Sequence, residues 1–205
     1  MQREKIEQIL TDELRKQKRL LLDKIKERSE ELLTESPDYH NFLKLFGIEK
    51  EESILMDKYH NMGRIVFRHL GSILQDTTIT LLMHTLGGQK SVKIRNRQGG
   101  TPREFIIDWL YEKRAYQIKW RYATTDGTTV NKEIAFANQL GQDKHIPVFL
   151  VYYTSLRPQP LSCFHRIANA FLENNGEVYY QGKAWDHIRE ITKFDLKDFI
   201  LSLKL

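Results

Sequence analysis

Apolar residues recur every three or four positions through the first third of the chain, a spacing that predicts amphipathic helices. The apolar face of the first helix comprises Ile9, Leu10, Leu14, Leu21, Ile25 and Leu32. A short helix is predicted to begin at Ser36, ahead of Pro37, and to end at Gly47. A second long helix follows from about Glu51 to the Gly87-Gly88 break, with an apolar face of Ile54, Tyr59, Met62, Ile65, Val66 and Leu70.

Alternation of side chains replaces this helical spacing after Gly100 and predicts strands. Phe105, Ile107 and Trp109 are expected on one face of the first strand, and residues 111–114 form the turn to the second. The second strand is expected to carry its aromatic and apolar residues on one face, namely Tyr116, Ile118, Trp120 and Tyr122.

The rest of the chain predicts a helix, a buried strand and further helices. Asn131 is expected to cap a helix that runs through Leu140, and residues 147–153 are typical of a buried strand. Strand, helix and strand in succession imply a right-handed parallel crossover. A helix over 161–172, a strand over 177–180 and a closing helix from Trp185 complete the prediction.

Together these elements predict an α/β (α+β) fold, a mixed β-sheet flanked by helices with a helical N-terminal region. The length of 205 residues and the 40% hydrophobic content suit one core, so we expect a single domain over 1–205. Residues 1–86 would form its mainly helical N-terminal region and 87–205 its sheet core. The single cysteine, Cys163, excludes an intrachain disulfide and suits a reducing cytoplasm. No apolar stretch is long enough to cross a bilayer, so no membrane association is expected.

The formal net charge of +5 fits a polyanionic partner, although many unrelated proteins share such an excess. Basic residues are concentrated in one stretch that, if extended, directs its donors to one side: Lys90, Lys93, Arg95 and Arg97. That arrangement suits a phosphate backbone. The alternative is an edge strand whose lysines and arginines are solvated and protect it from aggregation.

Candidate chemistry lies in the predicted hairpin. Asp108 is near the end of its first strand, and the second strand presents Gln117 and Lys119 on one face, ~6.6 Å apart. The Asp108 carboxylate, the Gln117 amide oxygen and the Ile118 backbone carbonyl are oxygen donors of the kind that Mg²⁺ prefers. Lys119 would orient or deprotonate a water and stabilise charge on a phosphate. This set suits hydrolysis of a phosphodiester.

A further acidic ligand has to come from outside the hairpin strands. Glu104 and Glu112 each lie four positions from Asp108, which is ~13 Å in an extended strand. Asp57, Glu52 and Asp126 are the alternatives, and Asp57 is chosen as the working prediction.

The hairpin resembles the catalytic motif of PD-(D/E)xK nucleases, in which an aspartate precedes a hairpin that carries an acidic residue, one spacer and a lysine. Ile107-Asp108 and Gln117-Ile118-Lys119 fill these places. The sequence departs from the motif twice, since Ile107 replaces the proline and neutral Gln117 replaces the second acidic residue. The resemblance implies a Mg²⁺-dependent nuclease with a restriction-endonuclease-like fold.

More narrowly, the segment from Ile118 to Glu133 is similar to the ApaLI-type restriction endonucleases. Tyr179-Tyr180, Trp185 and the segment from Asp195 to Lys197 are also similar. This resemblance implies a type II enzyme that cuts double-stranded DNA within a short palindrome. A palindrome in turn implies a two-fold symmetric homodimer.

A polar loop is predicted directly after the catalytic strand, and its side chains suit contacts to base edges or phosphates. The expected DNA contacts in and beside this loop are Arg121, Thr124, Thr125, Asp126, Thr128, Thr129, Asn131 and Lys132. The alternative is a simple turn in which Asp126-Gly127 supplies the positive φ.

Three other functions stay open from the sequence. A repair or junction-resolving nuclease would use the same motif without a defined palindrome. An inactive DNA-binding module of the same fold would explain the neutral Gln117. A protein-interaction domain would rely on the amphipathic N-terminal helix and ignore DNA and divalent ions.

Overall fold

The computed structural model describes residues 3–34 and 39–203, so the helix start predicted at Ser36 lies outside the described residues. Three helices come first: α1 (Arg3–Thr34), α2 (Tyr39–Lys44) and α3 (Lys50–Thr85). The turn after α2 closes at Gly47, which has a φ of +78° and donates its amide hydrogen to the Lys44 carbonyl. The two long helices that the apolar spacing predicts are thus confirmed.

A five-stranded mixed sheet follows, in the spatial order β1-β2-β3-β4-β5. Its strands are β1 (Gln89–Arg95), β2 (Glu104–Tyr111), β3 (Arg114–Tyr122), β4 (Ile146–Thr154) and β5 (Glu177–Tyr180). β1, β2 and β3 pair antiparallel, whereas β4 is parallel to β3 and β5 is parallel to β4. The predicted mixed sheet and the parallel pairing across the crossover are confirmed.

Four more helices connect and follow the later strands: α4 (Gly127–Gln142), α5 (Pro158–Glu173), α6 (Gly182–Thr192) and α7 (Leu196–Ser202). The predicted cap at Asn131 is wrong. Asp126 caps α4 instead, because its carboxylate accepts hydrogen bonds from the Thr128 and Thr129 amides. The closing helix is also two helices, since Lys193 is left-handed and Asp195 caps a new start.

The chain divides into two compact units, one of which contains the sheet together with the residues up to Thr11 and those from Leu74 onward. This sheet unit holds two apolar clusters. The first cluster includes Leu10, Leu82, Trp109, Tyr116, Ile118, Tyr152 and Ile188. The second cluster includes Phe105, Ile107, Tyr122, Phe136, Phe149, Val151, Phe164 and Phe171. Helices α4 and α5 contribute to the second cluster and α6 to the first.

The clusters correct two predictions about strand faces. Phe105 and Ile107 belong to the second cluster, whereas Trp109 belongs to the first. The β1–β2 ladder is interrupted between Ile107 and Trp109. Lys90 pairs with Trp109 and Val92 pairs with Ile107, whereas Ser91 pairs with no residue of β2 and has a φ of +55°. Tyr122 likewise lies in the second cluster, apart from Tyr116 and Ile118 in the first.

The other unit consists of residues 12–73, which form most of α1, all of α2 and much of α3. Within it, the Arg28 guanidinium donates a hydrogen bond to the Asn61 side chain, 3.5 Å away. Many of its large apolar side chains are exposed: Leu20, Leu22, Leu45, Phe46, Ile54, Leu55, Met56, Tyr59, Phe67 and Leu70. Across the described ranges, no helix has the length and apolar content needed to span a membrane.

Substituting Gly88 tests the connection between α3 and β1. A Cβ atom there would lie 2.6 Å from the Leu110 carbonyl oxygen and 2.9 Å from Trp109 Nε1, at a φ of +89°. We expect Gly88→Ala to lower the free energy of unfolding by on the order of 2–3 kcal/mol, measured by urea denaturation. Gly87→Ala is the matched control, because Gly87 has a similar φ of +83° but open space. Equal losses in the two variants would contradict the close approach.

Candidate active site

Asp108 lies where the hairpin strands stop pairing. The β2–β3 ladder runs from the Tyr111–Arg114 pair to the Trp109–Tyr116 pair and goes no further into the strands. At the next position the Ile118 amide donates a hydrogen bond to Asp108 Oδ2, at 2.7 Å. The carboxylate therefore occupies the space that opens between β2 and β3, where only 8% of Asp108 is exposed.

The surroundings of Asp108 raise its pKa to about 6, and burial is the main cause because it disfavours the charged carboxylate. The Glu133 carboxylate raises the pKa further. Lys119, the Ile118 amide and the Gln75 side chain oppose these effects by stabilising the anion. Burial thus destabilises the charged form of Asp108, and a further cation nearby would stabilise it.

Gln117 and Lys119 occupy alternate positions of β3 and pair in register with Phe149 and Val151 of β4. Gln117 is buried, whereas the Lys119 side chain is 30% exposed. Lys119 Nζ lies 3.3 Å from Glu133 Oε1. The predicted trio of Asp108, Gln117 and Lys119 is therefore brought to one region, and Glu133 joins it.

Glu133 is the residue that the sequence reasoning missed. Its helix, α4, buries a stripe that includes Val130, Phe136, Ala137 and Leu140, and Glu133 stands inside this stripe. The sequence does contain a signal for Glu133, because it is an acidic residue at a position where the helical spacing calls for an apolar one. A buried carboxylate needs a charged or hydrogen-bonding partner. The partner is Lys119, on the strand that leads into the same helix.

The donor set fits a hard divalent cation. Two carboxylates, Asp108 and Glu133, and the Gln117 amide supply oxygen ligands, as Mg²⁺ requires. The N–H and C=O of one strand residue point to the same side, so the Ile118 carbonyl is expected on the side of β3 to which its amide points, toward β2. Among the described residues, no group of three or more His, Cys, Asp and Glu side chains forms a metal-binding cluster.

The alternative acidic ligands have other roles in the structure. Asp57 lies in the unit of residues 12–73, where its carboxylate accepts a hydrogen bond from the Asn61 amide at 3.0 Å. Its role as a ligand stays a prediction. The Asp126 carboxylate accepts from the Thr128 and Thr129 amides and from the Thr129 hydroxyl, which lower its pKa. Asp126 is therefore committed to the cap of α4.

The basic stretch forms the edge strand β1 and the segment after it. Lys93 Nζ lies 3.4 Å from Glu104 on β2, and Arg95 is exposed. Arg97 Nη1 lies 3.2 Å from Asp143, beyond the end of α4, and its amide donates to Gln139. The prediction that all four donors point to one side requires an extended stretch, but β1 ends at Arg95 and the Arg97 side chain lies beside Asp143.

The predicted polar loop is shorter than expected, since α4 already begins at Gly127. Thr124 accepts a hydrogen bond from the Asp126 amide. Several predicted DNA contacts nonetheless have exposed positions at the end of β3 and in the first turns of α4: Arg121, Thr125, Thr128, Asn131 and Lys132. They lie along the chain between Lys119 and Glu133, so they flank the site.

The mixed sheet and its flanking helices form a restriction-endonuclease-like fold. The family model for ApaLI-like restriction endonucleases matches residues 1–204, and the chain therefore belongs to the ApaLI-like restriction endonuclease family. The family resemblance in the sequence is confirmed, and the protein is a nuclease that cleaves DNA at specific sites. Comparisons with curated proteins and with solved structures gave no match.

Removing the charge of Asp108 is expected to stabilise the metal-free protein at neutral pH. The folded-state pKa of about 6 lies above the ordinary value of 3.8, so between these values the folded state holds a proton that the unfolded chain has released. The free energy of unfolding therefore falls as the pH rises through this range. In EDTA at pH 7.5, Asp108→Asn should raise the free energy of unfolding by on the order of 2 kcal/mol.

The gain should shrink toward zero at pH 4, where the folded wild type already carries a protonated Asp108. Urea denaturation of Asp108→Asn and of the wild type at pH 7.5 and at pH 4 measures the gain in the free energy of unfolding at each pH. Asp186→Asn, at an exposed position on α6, is the control. A gain that does not depend on pH would contradict the burial of an ionised Asp108.

Proposed function

We propose that this protein is a type II restriction endonuclease that hydrolyses phosphodiester bonds of double-stranded DNA with Mg²⁺, at a short palindromic site. The observation that carries the proposal is the meeting of Asp108, Gln117, Lys119 and Glu133 at the opening between β2 and β3. Family membership supports DNA as the substrate. A cytoplasmic setting is part of the same proposal.

Asp108, Glu133, the Gln117 amide oxygen and the Ile118 carbonyl would hold the ion, with Asp57 kept as a further candidate ligand. A bound Mg²⁺ supplies a Lewis acid that lowers the pKa of water and neutralises charge on the phosphate. Asp108 is suited to this role because a cation relieves the cost of its burial. The scissile phosphate would complete the negative field that neutral Gln117 does not provide.

Lys119 has two tasks in this proposal. Its partly exposed ammonium pairs with Glu133 and lowers the pKa of Asp108, so it stands beside both carboxylates. On binding, the phosphate would compete with Glu133 for this ammonium. Lys119 would then stabilise the charge that grows on the phosphate and orient the attacking water.

The inactive DNA-binding module had one argument in its favour, the neutral Gln117. Glu133 weakens that argument, because it supplies a second carboxylate from α4 beside Lys119. A repair or junction-resolving nuclease differs in its products, since it would not cut at one defined palindrome.

Symmetric cleavage of a palindrome requires two sites related by a two-fold axis, so the proposal includes a homodimer. The exposed apolar side chains of residues 12–73 support assembly, because monomeric soluble proteins rarely expose so many together. DNA contacts are proposed for the exposed residues near the site, Arg121, Thr125, Thr128, Asn131 and Lys132, and for Lys93, Arg95 and Arg97. Thr124 and Asp126 would act by shaping the start of α4.

Incubating the purified protein with plasmid and phage DNA tests the proposal. We expect discrete fragments with Mg²⁺ and none with EDTA, and sequencing of the fragment ends gives the site. Lys119→Ala should slow cleavage by about a hundred-fold or more, whereas exposed Lys197→Ala should not. A smear of products would favour a non-specific or repair nuclease, and intact DNA that shifts in a gel would favour the inactive module.

Glu133→Gln tests the carboxylate on α4. It keeps the shape of the side chain but removes a proposed ligand charge, so cleavage at a fixed Mg²⁺ concentration should fall about a hundred-fold or more. Glu173→Gln, on the exposed surface of α5, is the matched control. If Glu133→Gln cleaves DNA at the wild-type rate at every Mg²⁺ concentration, Glu133 is not part of the metal site.

A further inference from the structure

Tyr122 ends β3, and its ring is packed in the second cluster against Phe149 and Phe164, with ring centroids 6.2 and 6.1 Å away. The residue is 4% exposed. Its hydroxyl is enclosed but makes no hydrogen bond with any of the described residues. A buried hydroxyl without a partner costs roughly 1–3 kcal/mol, so a phenylalanine would suit a purely structural role better.

Four ionisable groups influence the hydroxyl electrostatically. Glu133, Cys163 and Asp126 act on it as negative charges and Arg166 as a positive one, and burial is the main cause of its raised pKa. It therefore stays protonated and can donate a hydrogen. Asp126 is committed to its cap and a thiol is a weak acceptor. Glu133 is the remaining strong acceptor, and after burial it has the largest effect on the hydroxyl. Lys119 is paired with its Oε1.

A local irregularity of β3 brings Tyr122 to this side. Regular alternation would place it with Tyr116 and Ile118 in the first cluster, yet it lies in the second cluster, to which α4 contributes. The β3–β4 ladder pairs Lys119 with Val151 and Arg121 with Tyr153, and its register skips the position between them, Trp120. The strand thus presents both Lys119 and Tyr122 toward the helix that carries Glu133.

We propose that Tyr122 is a positioning residue for Glu133. Its hydroxyl donates a hydrogen bond to the Glu133 carboxylate through one ordered water. Lys119 and Tyr122 then restrain the two oxygens of the same carboxylate, which fixes its orientation toward Asp108. The inference rests on the proposed function, because it assigns Tyr122 to the support of a ligand in that site. Supporting groups of this kind typically change metal affinity or activity by 10–100-fold.

Tyr122→Phe removes only the hydroxyl. In the full chain, we expect its melting temperature in EDTA to stay close to that of the wild type, because the hydroxyl makes no direct hydrogen bond to the described residues and is held only through a water. The Mg²⁺ concentration for half-maximal cleavage should rise about ten-fold. The Mg²⁺ concentration that gives half of the metal-dependent rise in melting temperature should move in the same direction, which a merely structural residue would not cause.

Tyr152→Phe is the matched control, because Tyr152 is also buried but its hydroxyl is paired with Thr78 at 2.7 Å. This control should lower the melting temperature and leave both Mg²⁺ midpoints unchanged. Wild-type midpoints in Tyr122→Phe would overturn the inference, and so would a lower melting temperature with unchanged midpoints. If Glu133→Gln is impaired while Tyr122→Phe is not, only this inference fails. If Glu133→Gln behaves as wild type, the proposed site itself fails, and this inference with it.

Discussion

The hydrogen bond between the Ile118 amide and the Asp108 carboxylate is the contact on which the site depends. It takes the place of a backbone pair at the point where β2 and β3 separate. It satisfies an amide that would otherwise be buried without a partner, and it fixes the carboxylate inside the opening. The same separation leaves Ile118 outside the β2–β3 ladder, which ends at the Trp109–Tyr116 pair.

The charges around this contact are only partly balanced, by the Lys119 ammonium. Lys119 is paired with Glu133 and lowers the pKa of Asp108, and Gln117 adds an amide oxygen without adding charge. A third carboxylate would increase repulsion in a buried region, where each unpaired charge is costly. The glutamine is therefore compatible with an active site that gains its last negative charge from DNA.

The sequence predicts this hairpin well because short-range constraints determine it. A tight turn keeps Asp108 close to the strand that carries Gln117 and Lys119, and period-two alternation puts those two side chains on one face of it. The prediction of strand faces fails where the alternation is broken, as at Ser91 and Trp120. A one-residue irregularity reverses the face of every residue beyond it. These breaks move Trp109 and Tyr122 to clusters that a regular strand would not give them.

Glu133 was hidden for a different reason, since only the packing of α4 onto the sheet shows that its carboxylate meets Lys119. The start of that helix was misplaced because Asn131 and Asp126 are both good caps. The local sequence does not determine which of the two side chains accepts hydrogen bonds from the unpaired backbone amides of the first helical turn.

The cap at Asp126 has a consequence for how this enzyme can diversify. It fixes the first turn of α4 directly after β3, so Asp108, Gln117, Lys119 and Glu133 all come from one uninterrupted segment, residues 108–133. Insertions before or after that segment leave the spacing of its reactive groups intact. An insertion between Tyr122 and Asp126 would instead shift Glu133 along or around its helix axis. Loops outside the segment can thus change in length while the spacing of these four side chains along the chain is kept.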